Sequence, residues 1–415
     1  MNKRLNKFLL FGWFALLLAI IGGGLYGAFQ VFTKGLVVTN LTDLVPWGLW
    51  ICIDLSSIAM AAGAFSLCAL VYLVGLKQYE PIAKTATFVG IVGYSMAMLC
   101  LLMDVGRPDR FWHGFVYWNI HSVLWEVTMC VGLYFSVLIL ETMPILAGMD
   151  WMQRTFPRLS KWMAHIHHFS PILAIFGLGF SLLHQSSLGA TYGVIQAKPI
   201  WFRPNLSVLF IFSAVLGGIS LTLASSMLAA RLTPRANVDD RLIEKLAKAL
   251  GWALLGYLYF RFWDAFAMNY TYQPGRAEGL QILTSGSLSF NFWIGEVMVG
   301  MVFPIVVLLN GRLRQNQTLR MIALFGVAAG VVAYRWDVNL VGQLIVLTYL
   351  PHEIVARYTS YFPSTIEFMT GGAVVAYGLL AFTIGVRHLK VIDHKAAVHA
   401  HEAHQPVTPI PASTD

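Results

Sequence analysis

Charged residues are scarce in this sequence. Of the 415 residues, 12% are charged and 57% are hydrophobic, whereas soluble domains average about 25% charged and about 45–50% apolar residues. The excess lies in long apolar runs, so a polytopic membrane protein is predicted. The net charge of +8 does not indicate a nucleic-acid partner, because the Lys and Arg residues lie in short loops rather than in a basic domain.

Cysteine is also rare. The four cysteines all lie within apolar runs and show no C-x-x-C or other ligand spacing: Cys52, Cys68, Cys100 and Cys130. We therefore expect no disulfide framework, no iron–sulfur cluster and no structural metal site in this chain. A clean cleavage site is lacking too, and the basic N-terminus leads into about 25 apolar residues, which predicts a retained first helix rather than a signal peptide.

Ten segments have the roughly 20 apolar residues that cross a bilayer as an α-helix. We predict an all-α integral membrane protein with spans near 8–32, 46–75, 85–104, 117–143, 170–190, 206–230, 247–268, 291–310, 320–344 and 366–388. We count 19 Lys and Arg residues on the side of the N-terminus and seven on the other. Because cytoplasmic loops carry the positive excess, both termini are predicted to be cytoplasmic, in a bacterial inner membrane.

Short matches indicate an internal repeat. The letters RFW occur at Arg110–Trp112 and at Arg261–Trp263, and Glu-Val follows at Glu126 and at Glu296. Spans 2–5 and 6–9 would then be two four-helix bundles in parallel orientation. The predicted units are 1–45 (first helix and outer loop), 46–190 and 191–345 (the two bundles), 346–390 (outer loop and last helix) and 391–415 (a disordered, His- and Pro-rich cytoplasmic tail).

The segment 101–127 gathers ionisable residues between two apolar runs. Ionisable groups within spans are costly and usually functional. With span 2 starting at Pro46 and span 4 near Trp118, the helical rise places Asp54 and Glu126 each about 12 Å below the outer surface. The same estimate puts His121 at about 5 Å and His184 at about 8 Å. These four groups are predicted to form one layer in the outer half of the membrane.

Polar and aromatic residues surround this layer. The rim is predicted to contain Asp104, Arg107, Asp109, Arg110 and His113; neutral hydrogen-bonding groups are Gln185 and Ser186; the aromatic walls are Trp47, Trp50, Trp112, Tyr117 and Trp118. A pocket that is polar at one end and aromatic along its walls suits a quinone, because histidine titrates near neutrality and can supply the protons. Glu126 could reprotonate a histidine, and Glu141, about 22 Å further inward, could admit protons from the cytoplasm.

The second half has its own charges within spans: Arg261, Asp264, Glu296, Arg335 and Asp337. Arg261 and Asp264 are three residues apart and share a helix face. Two arginines against three acids are typical of a buried structural network, and a proton route through these groups is the alternative.

Four motifs resemble one known family. DVGRPDRFWH after span 3, NIHSVLWEV in span 4, VPWGLWICIDL at span 2 and HQSSLG in span 5 are similar to the NrfD/PsrC membrane subunits, particularly the ten-helix HybB-like branch and its menaquinone reductase members. The resemblance implies no haem or iron–sulfur cluster in this chain, and menaquinone bound as a substrate near the outer face. The implied catalytic residues are His121, Glu126, Asp104 and His184, with quinone contacts from Arg107, Asp54, Trp47, Trp112 and Gln185.

The resemblance also implies partners. Electrons would pass through a periplasmic iron–sulfur protein, with molybdopterin-oxidoreductase-like and multihaem cytochrome c subunits beyond it, or with a hydrogenase in a HybB-like complex. Menaquinone would be reduced at the outer side with protons drawn at least partly from the cytoplasm.

Two other classes remain possible from the residues. A secondary transporter would bind substrate near the midplane on broken helices, but spans 2 and 4 lack a central Gly or Pro break. A b-type cytochrome would need a histidine pair such as His121 and His184.

Overall fold

The computed structural model describes residues 3–233, 236–270, 273–389 and 392. Ten long helices account for most of them: α1 Lys3–Lys34, α2 Leu49–Tyr72, α3 Glu80–Asp104, α4 Val123–Ala147, α5 Ser170–Gly193, α6 Leu206–Leu232, α7 Asp240–Tyr270, α8 Asn291–Val302 (a π-helix continued by Phe303–Leu309), α9 Gln317–Leu344 and α10 Thr365–His388. Nine of these described helices are long and apolar enough to cross a membrane, and α7 has the length but more charge. The predicted all-α fold with about ten spans is confirmed.

The helices pack as two groups of four with a flanking pair. Neighbours within α2–α5 contact one another, as do neighbours within α6–α9, and α6 packs against α2 and α5. The crossing of α2 and α6 is close because both contribute glycine: a Cβ at Gly63 would lie 2.2 Å from the Gly218 backbone. Helices α1 and α10 pack together and contact the first bundle through α3 and α2. We call α2–α5 the first bundle and α6–α9 the second bundle.

Shorter elements lie at the two ends of the bundles. We call the end that contains Lys3 and His388 the terminal end and the opposite one the distal end. The distal end carries the segments Leu36–Val38, Pro108–Arg110, His113–Val116 and Arg276–Thr284, and an antiparallel hairpin of β1 Ile345–Tyr349 and β2 Ile354–Tyr358. The terminal end carries Lys77–Tyr79, Asp150–Thr155, Pro157–His165, Ile166–Phe169 and Gly311–Gln315. In Pro157–His165, Trp162 and Leu159 are exposed while Ser160 and Met163 are buried, as expected for an amphipathic helix at an interface.

The two helix starts from which depths were predicted differ from those of the structure. Helix α2 begins at Leu49 rather than Pro46. Helix α4 begins at Val123 rather than near Trp118, because Ser122 adopts an extended conformation and its hydroxyl accepts a hydrogen bond from the Trp125 amide, which caps the helix. His121 therefore precedes the helix, and the depth of about 5 Å predicted for it from a helix start near Trp118 loses its basis.

The two sequence matches that indicate an internal repeat, RFW and Glu-Val, do not lie at equivalent positions of the two bundles. Arg110 ends the short helical segment Pro108–Arg110 beyond α3, whereas Arg261 is buried within α7. Glu126 is exposed in the first turn of α4, whereas Glu296 is buried in the middle of the π-helical part of α8. Apart from Ile392, the predicted tail 391–415 lies outside the described residues.

Candidate functional site

His184 lies at the centre of the first bundle. It is on α5, and only 1% of the residue is exposed. The Tyr94 hydroxyl, on α3, lies 3.0 Å from its Nδ1, and the two rings meet edge to face at 5.9 Å. The other ring nitrogen, Nε2, is buried and has no hydrogen-bond partner among the described atoms. One side of the imidazole is therefore fixed and the other is available.

Two carboxyl groups lie nearer the distal end of the first bundle than this pair does; Asp104 is about 15 Å along α3 from Tyr94. Asp54, on α2, is 3% exposed, and Asp104 is the last residue of α3. Both carry a buried Oδ1 without a partner among the described atoms, and they are close enough for their charges to interact. Gly106, with φ of 71°, turns the chain after Asp104 in the left-handed conformation that glycine favours.

Three helices thus contribute orphaned polar atoms to the distal half of the first bundle. Buried polar atoms are almost always hydrogen-bonded. The atoms Asp54 Oδ1, Asp104 Oδ1 and His184 Nε2 together combine acceptors with an imidazole nitrogen. Each of these atoms can form a hydrogen bond with an added polar group or exchange a proton with it.

The other predicted site residues form an exposed rim at the distal end. His121, Glu126 and Trp112 are exposed. Arg107 donates two hydrogen bonds of 3.0 Å to Asp109, and these lower the pKa of the Asp109 carboxyl. His121 is exposed, whereas His184 is enclosed in the bundle.

Two of the residues predicted to contact quinone, Trp47 and Gln185, contact residues after the first bundle instead. Trp47 stacks on Trp201 with ring centroids 5.5 Å apart and meets Tyr192 edge to face at 5.4 Å. Gln185 Oε1 accepts a hydrogen bond of 3.2 Å from Arg335. Trp50 is also placed elsewhere, since its Nε1 donates to the Thr370 hydroxyl of α10 at 2.7 Å.

A cavity of about 360 Å³ opens at the terminal end of the first bundle. Glu141 lines it together with Tyr72, Lys84, His167 and Ser170. Glu141 Oε1 is buried and has no hydrogen-bond partner among the described atoms. The cavity and its orphaned carboxyl oxygen are suited to hold water, because a water needs polar partners and far less volume than this.

The second bundle contains a buried ion-pair network. Arg261 forms two hydrogen bonds with Glu296, at 2.5 and 3.1 Å, and one with Asp264 at 2.7 Å. Arg203, from the segment before α6, adds a contact of 2.9 Å to the same oxygen of Asp264. Arg335 is not part of it: its Nη2 donates to Gln185, to the Phe210 carbonyl and to Ser213.

Sequence reasoning missed Tyr94, Arg203 and Asn291. Tyr94 is a single tyrosine in an apolar span, and its contact with His184 joins positions 90 residues apart. Arg203 lies in a loop, where charge attracts no attention, but it is only 9% exposed. The burial of Arg203 is what distinguishes it from an ordinary loop arginine, and burial cannot be seen in the sequence alone.

Comparison with known proteins agrees with this architecture. The family model described as "Polysulphide reductase, NrfD" matches residues 37–347. The matched region includes both bundles and the candidate site, and the chain belongs to the NrfD family.

The relatives include membrane subunits of oxidoreductases. The chain is 32% identical over 407 residues to the "Menaquinone reductase, integral membrane subunit" of Nitratidesulfovibrio vulgaris, covering 95% of this chain and 94% of that protein. It is 26% identical to the "Hdr-like menaquinol oxidoreductase integral membrane subunit" of Archaeoglobus fulgidus, covering 92% and 93%. It is 27% identical to the "Probable Ni/Fe-hydrogenase 2 b-type cytochrome subunit" of Escherichia coli, covering 86% of each.

Proposed function

We propose that this chain is the quinone-interacting membrane subunit of a periplasm-facing oxidoreductase complex and that it serves to reduce menaquinone. The observation that carries the proposal is the set of three orphaned atoms in the distal half of the first bundle, on Asp54, Asp104 and His184. The menaquinone reductase relative aligns over nearly the whole chain, which supports menaquinone as the substrate.

The proposed chemistry needs two electrons and two protons for each quinone. Electrons come from an iron–sulfur protein that docks on the distal end of this chain. The rim of that end exposes four large apolar side chains, those of Phe111, Tyr117, Trp118 and Ile120. His184 Nε2 donates a hydrogen bond to one quinone carbonyl, and Asp54 and Asp104 hold or pass protons in the same region. His121 and Glu126, at the rim, provide the boundary between quinone and partner.

The proposed proton route starts at the terminal end. Glu141 collects protons from the cavity of about 360 Å³. On the same helix, Tyr134 lies seven residues away, about 10 Å along the axis, and its ring is 4.8 Å from the Tyr94 ring. Tyr94 contacts His184 directly. With the termini in the cytoplasm, each turnover would move protons from the cytoplasm across the membrane dielectric to the quinone and generate a potential.

A hydrogenase-linked complex is the second candidate, supported by the Escherichia coli relative. The quinone site would be the same, and only the periplasmic electron donor would differ. Reduction assays with a cytochrome donor and with hydrogen separate the two.

The proposed site is tested by Asp54→Asn in the assembled complex, with Asp43→Asn, an exposed residue before α2, as the matched control. We expect a fall in kcat for menaquinone analogues of about 100-fold, in the range of general acid–base catalysis, and no change in the control. Unchanged turnover in Asp54→Asn protein would contradict the proposed site.

A further inference from the structure

The β1–β2 hairpin at the distal end has one covered edge and one open edge. Strand β1 lies beside the segment between α5 and α6, where the Leu347 amide donates a hydrogen bond of 2.7 Å to the Ala197 carbonyl. On its other side β1 pairs with β2, and the sheet has only these two strands. Among the residues that the structure describes, none is hydrogen-bonded to the main chain of β2 on its outer side.

The hydrogen bonds that flank the ladder define its register. The Leu350 amide donates to the Glu353 carbonyl at 2.9 Å, and the Thr359 amide donates to the Leu344 carbonyl at 3.0 Å. Hydrogen-bonded and non-hydrogen-bonded pairs alternate along an antiparallel ladder. The odd-numbered residues of β2 therefore direct their main-chain N–H and C=O groups toward β1.

The even-numbered residues of β2 face outward. They are Ile354, Ala356 and Tyr358, and their three N–H and three C=O groups have no main-chain partner among the described residues. Such a row of donors and acceptors is a template for a further strand. The outer edge of β2 is defined here as the main chain of these three residues.

The side chains beside this edge are apolar. Ile354 and Tyr358 are 48% and 61% exposed, although they share a face of the sheet with Ile345 and Leu347 of β1, which are buried. The packed face of the hairpin thus continues past β1 as uncovered apolar surface. A strand added to the outer edge of β2 would extend the sheet over this surface.

The edge lacks the usual protection against pairing. Exposed edge strands normally carry proline, lysine or several charges, whereas β2 reads IVARY, with Arg357 as its one charge. A lipid chain cannot satisfy main-chain N–H and C=O groups, and an extended polypeptide can. The exposed Arg357 side chain points to the opposite face from Ile354 and Tyr358, where it would attract an acidic residue of that polypeptide.

We propose that the outer edge of β2 binds an extended segment of the periplasmic partner subunit, which adds a third strand to the hairpin. Main-chain hydrogen bonds supply the affinity in this mode of recognition, and alternate side chains supply the specificity. The segment places apolar side chains beside Ile354 and Tyr358 and an acidic side chain beside Arg357. This inference rests on the proposed function, because it concerns the subunit that docks on the distal end.

The test is hydrogen–deuterium exchange of the full chain, alone and in its assembled complex, in the same detergent. In the complex, exchange at the amides of Ile354, Ala356 and Tyr358 should slow by at least about 10-fold, because a hydrogen-bonded amide exchanges only when the structure opens. The inward amides of Val355 and Arg357 are the internal control and should be protected in both samples. Equal exchange of the three outward amides in both samples, whether fast or already slow, would overturn the proposal.

A variant at the centre of the edge tests the strand pairing itself. Ala356→Pro removes one outward N–H and leaves the ladder to β1 in place, since proline is tolerated on an edge strand when its nitrogen faces outward. Loss of one hydrogen bond should raise the Kd for the partner subunit about 2- to 10-fold. Ala356→Ser, which keeps the N–H, is the matched control. Equal Kd values for the two variants would overturn the proposal.

Quinone reduction by the same samples separates this inference from the proposed function. A complex that reduces a menaquinone analogue while the outward amides of β2 exchange as in the chain alone would overturn the strand pairing and leave the proposed function intact. A chain that assembles with no subunit at the distal end would contradict both.

Discussion

The Tyr94 hydroxyl lies 3.0 Å from Nδ1 of His184, inside the first bundle. When the hydroxyl donates to Nδ1, the ring hydrogen is on Nε2, so the partnerless nitrogen is a hydrogen-bond donor. A quinone carbonyl requires a donor. The Tyr94 hydroxyl thus determines that Nε2 of His184 is a hydrogen-bond donor.

Replacement of this tyrosine should weaken quinone binding. Tyr94→Phe leaves the ring packing but frees the histidine tautomer, and because one hydrogen bond contributes roughly 0.5–1.5 kcal/mol, we expect the Kd for a quinone analogue to rise about 2- to 10-fold. The matched control is Tyr377→Phe, which removes a hydroxyl 3.0 Å from Ser95, the neighbour of Tyr94. An equal loss of affinity in both variants would show that the effect is not specific to His184.

Glu141 should control proton uptake from the terminal end. In proteoliposomes, Glu141→Gln should lower both the rate of quinone reduction and the membrane potential, by at least about 10-fold if the carboxyl transfers the protons. Glu80→Gln, at the same end and paired with Lys84 at 3.4 Å, is the control and should retain both. Wild-type turnover without any membrane potential would refute proton uptake from the cytoplasm.

Arg261 should be important for stability. Arg261→Met leaves Glu296 and one contact of Asp264 without their cation, and breaking a buried ion pair typically costs about 3–5 kcal/mol. We expect a clear fall in the Tm of the detergent-solubilised protein. Arg357→Met, an exposed position in β2, should leave the Tm unchanged. Equal Tm values for the two variants would contradict a structural role for the network.

Lys198 should make stability depend on pH. Burial lowers the pKa of Lys198 from 10.5 to about 8, although its Nζ donates to the Leu44 carbonyl at 3.1 Å and lies 4.9 Å from the Trp201 ring centre. Between these two values the unfolded chain binds more protons than the folded one, so this group adds stability as the pH rises.

The measurement is the Tm across that interval. Relative to wild type, Lys198→Met should lose the gain in Tm between pH 8 and pH 10.5, the window set by the two pKa values. Lys161→Met, an exposed lysine at the terminal end, should behave as wild type. A parallel pH dependence in wild-type and Lys198→Met protein would contradict the assignment.

The sequence predicts the helices well because each one coincides with a long apolar run. Most observed helix ends lie within a few residues of the predicted ones. The start of α4 is missed since Trp118 and Ile120 are as apolar as a span, while the capping bond of Ser122 depends on local backbone geometry. The hairpin β1–β2 occupies a segment that is predicted as loop. Its β-branched residues, such as Ile345 and Val355, carry a signal that a search for membrane spans does not use.

The candidate site is only partly predictable. Depth along a helix can be estimated from the rise per residue, but the direction in which a side chain points depends on packing between distant segments. Gln185 follows His184 directly, yet it faces Arg335 in the second bundle. Arg335 and Asp337 form one group in the sequence, and the structure directs them to different partners.

The most direct test of the central claim is the binding of a fluorescent quinone analogue to the intact complex. The account predicts that wild type binds the analogue, that His184→Ala abolishes binding in folded protein, and that His388→Ala, an exposed histidine at the terminal end, binds as wild type does. Unchanged binding by His184→Ala would contradict a quinone site in the first bundle.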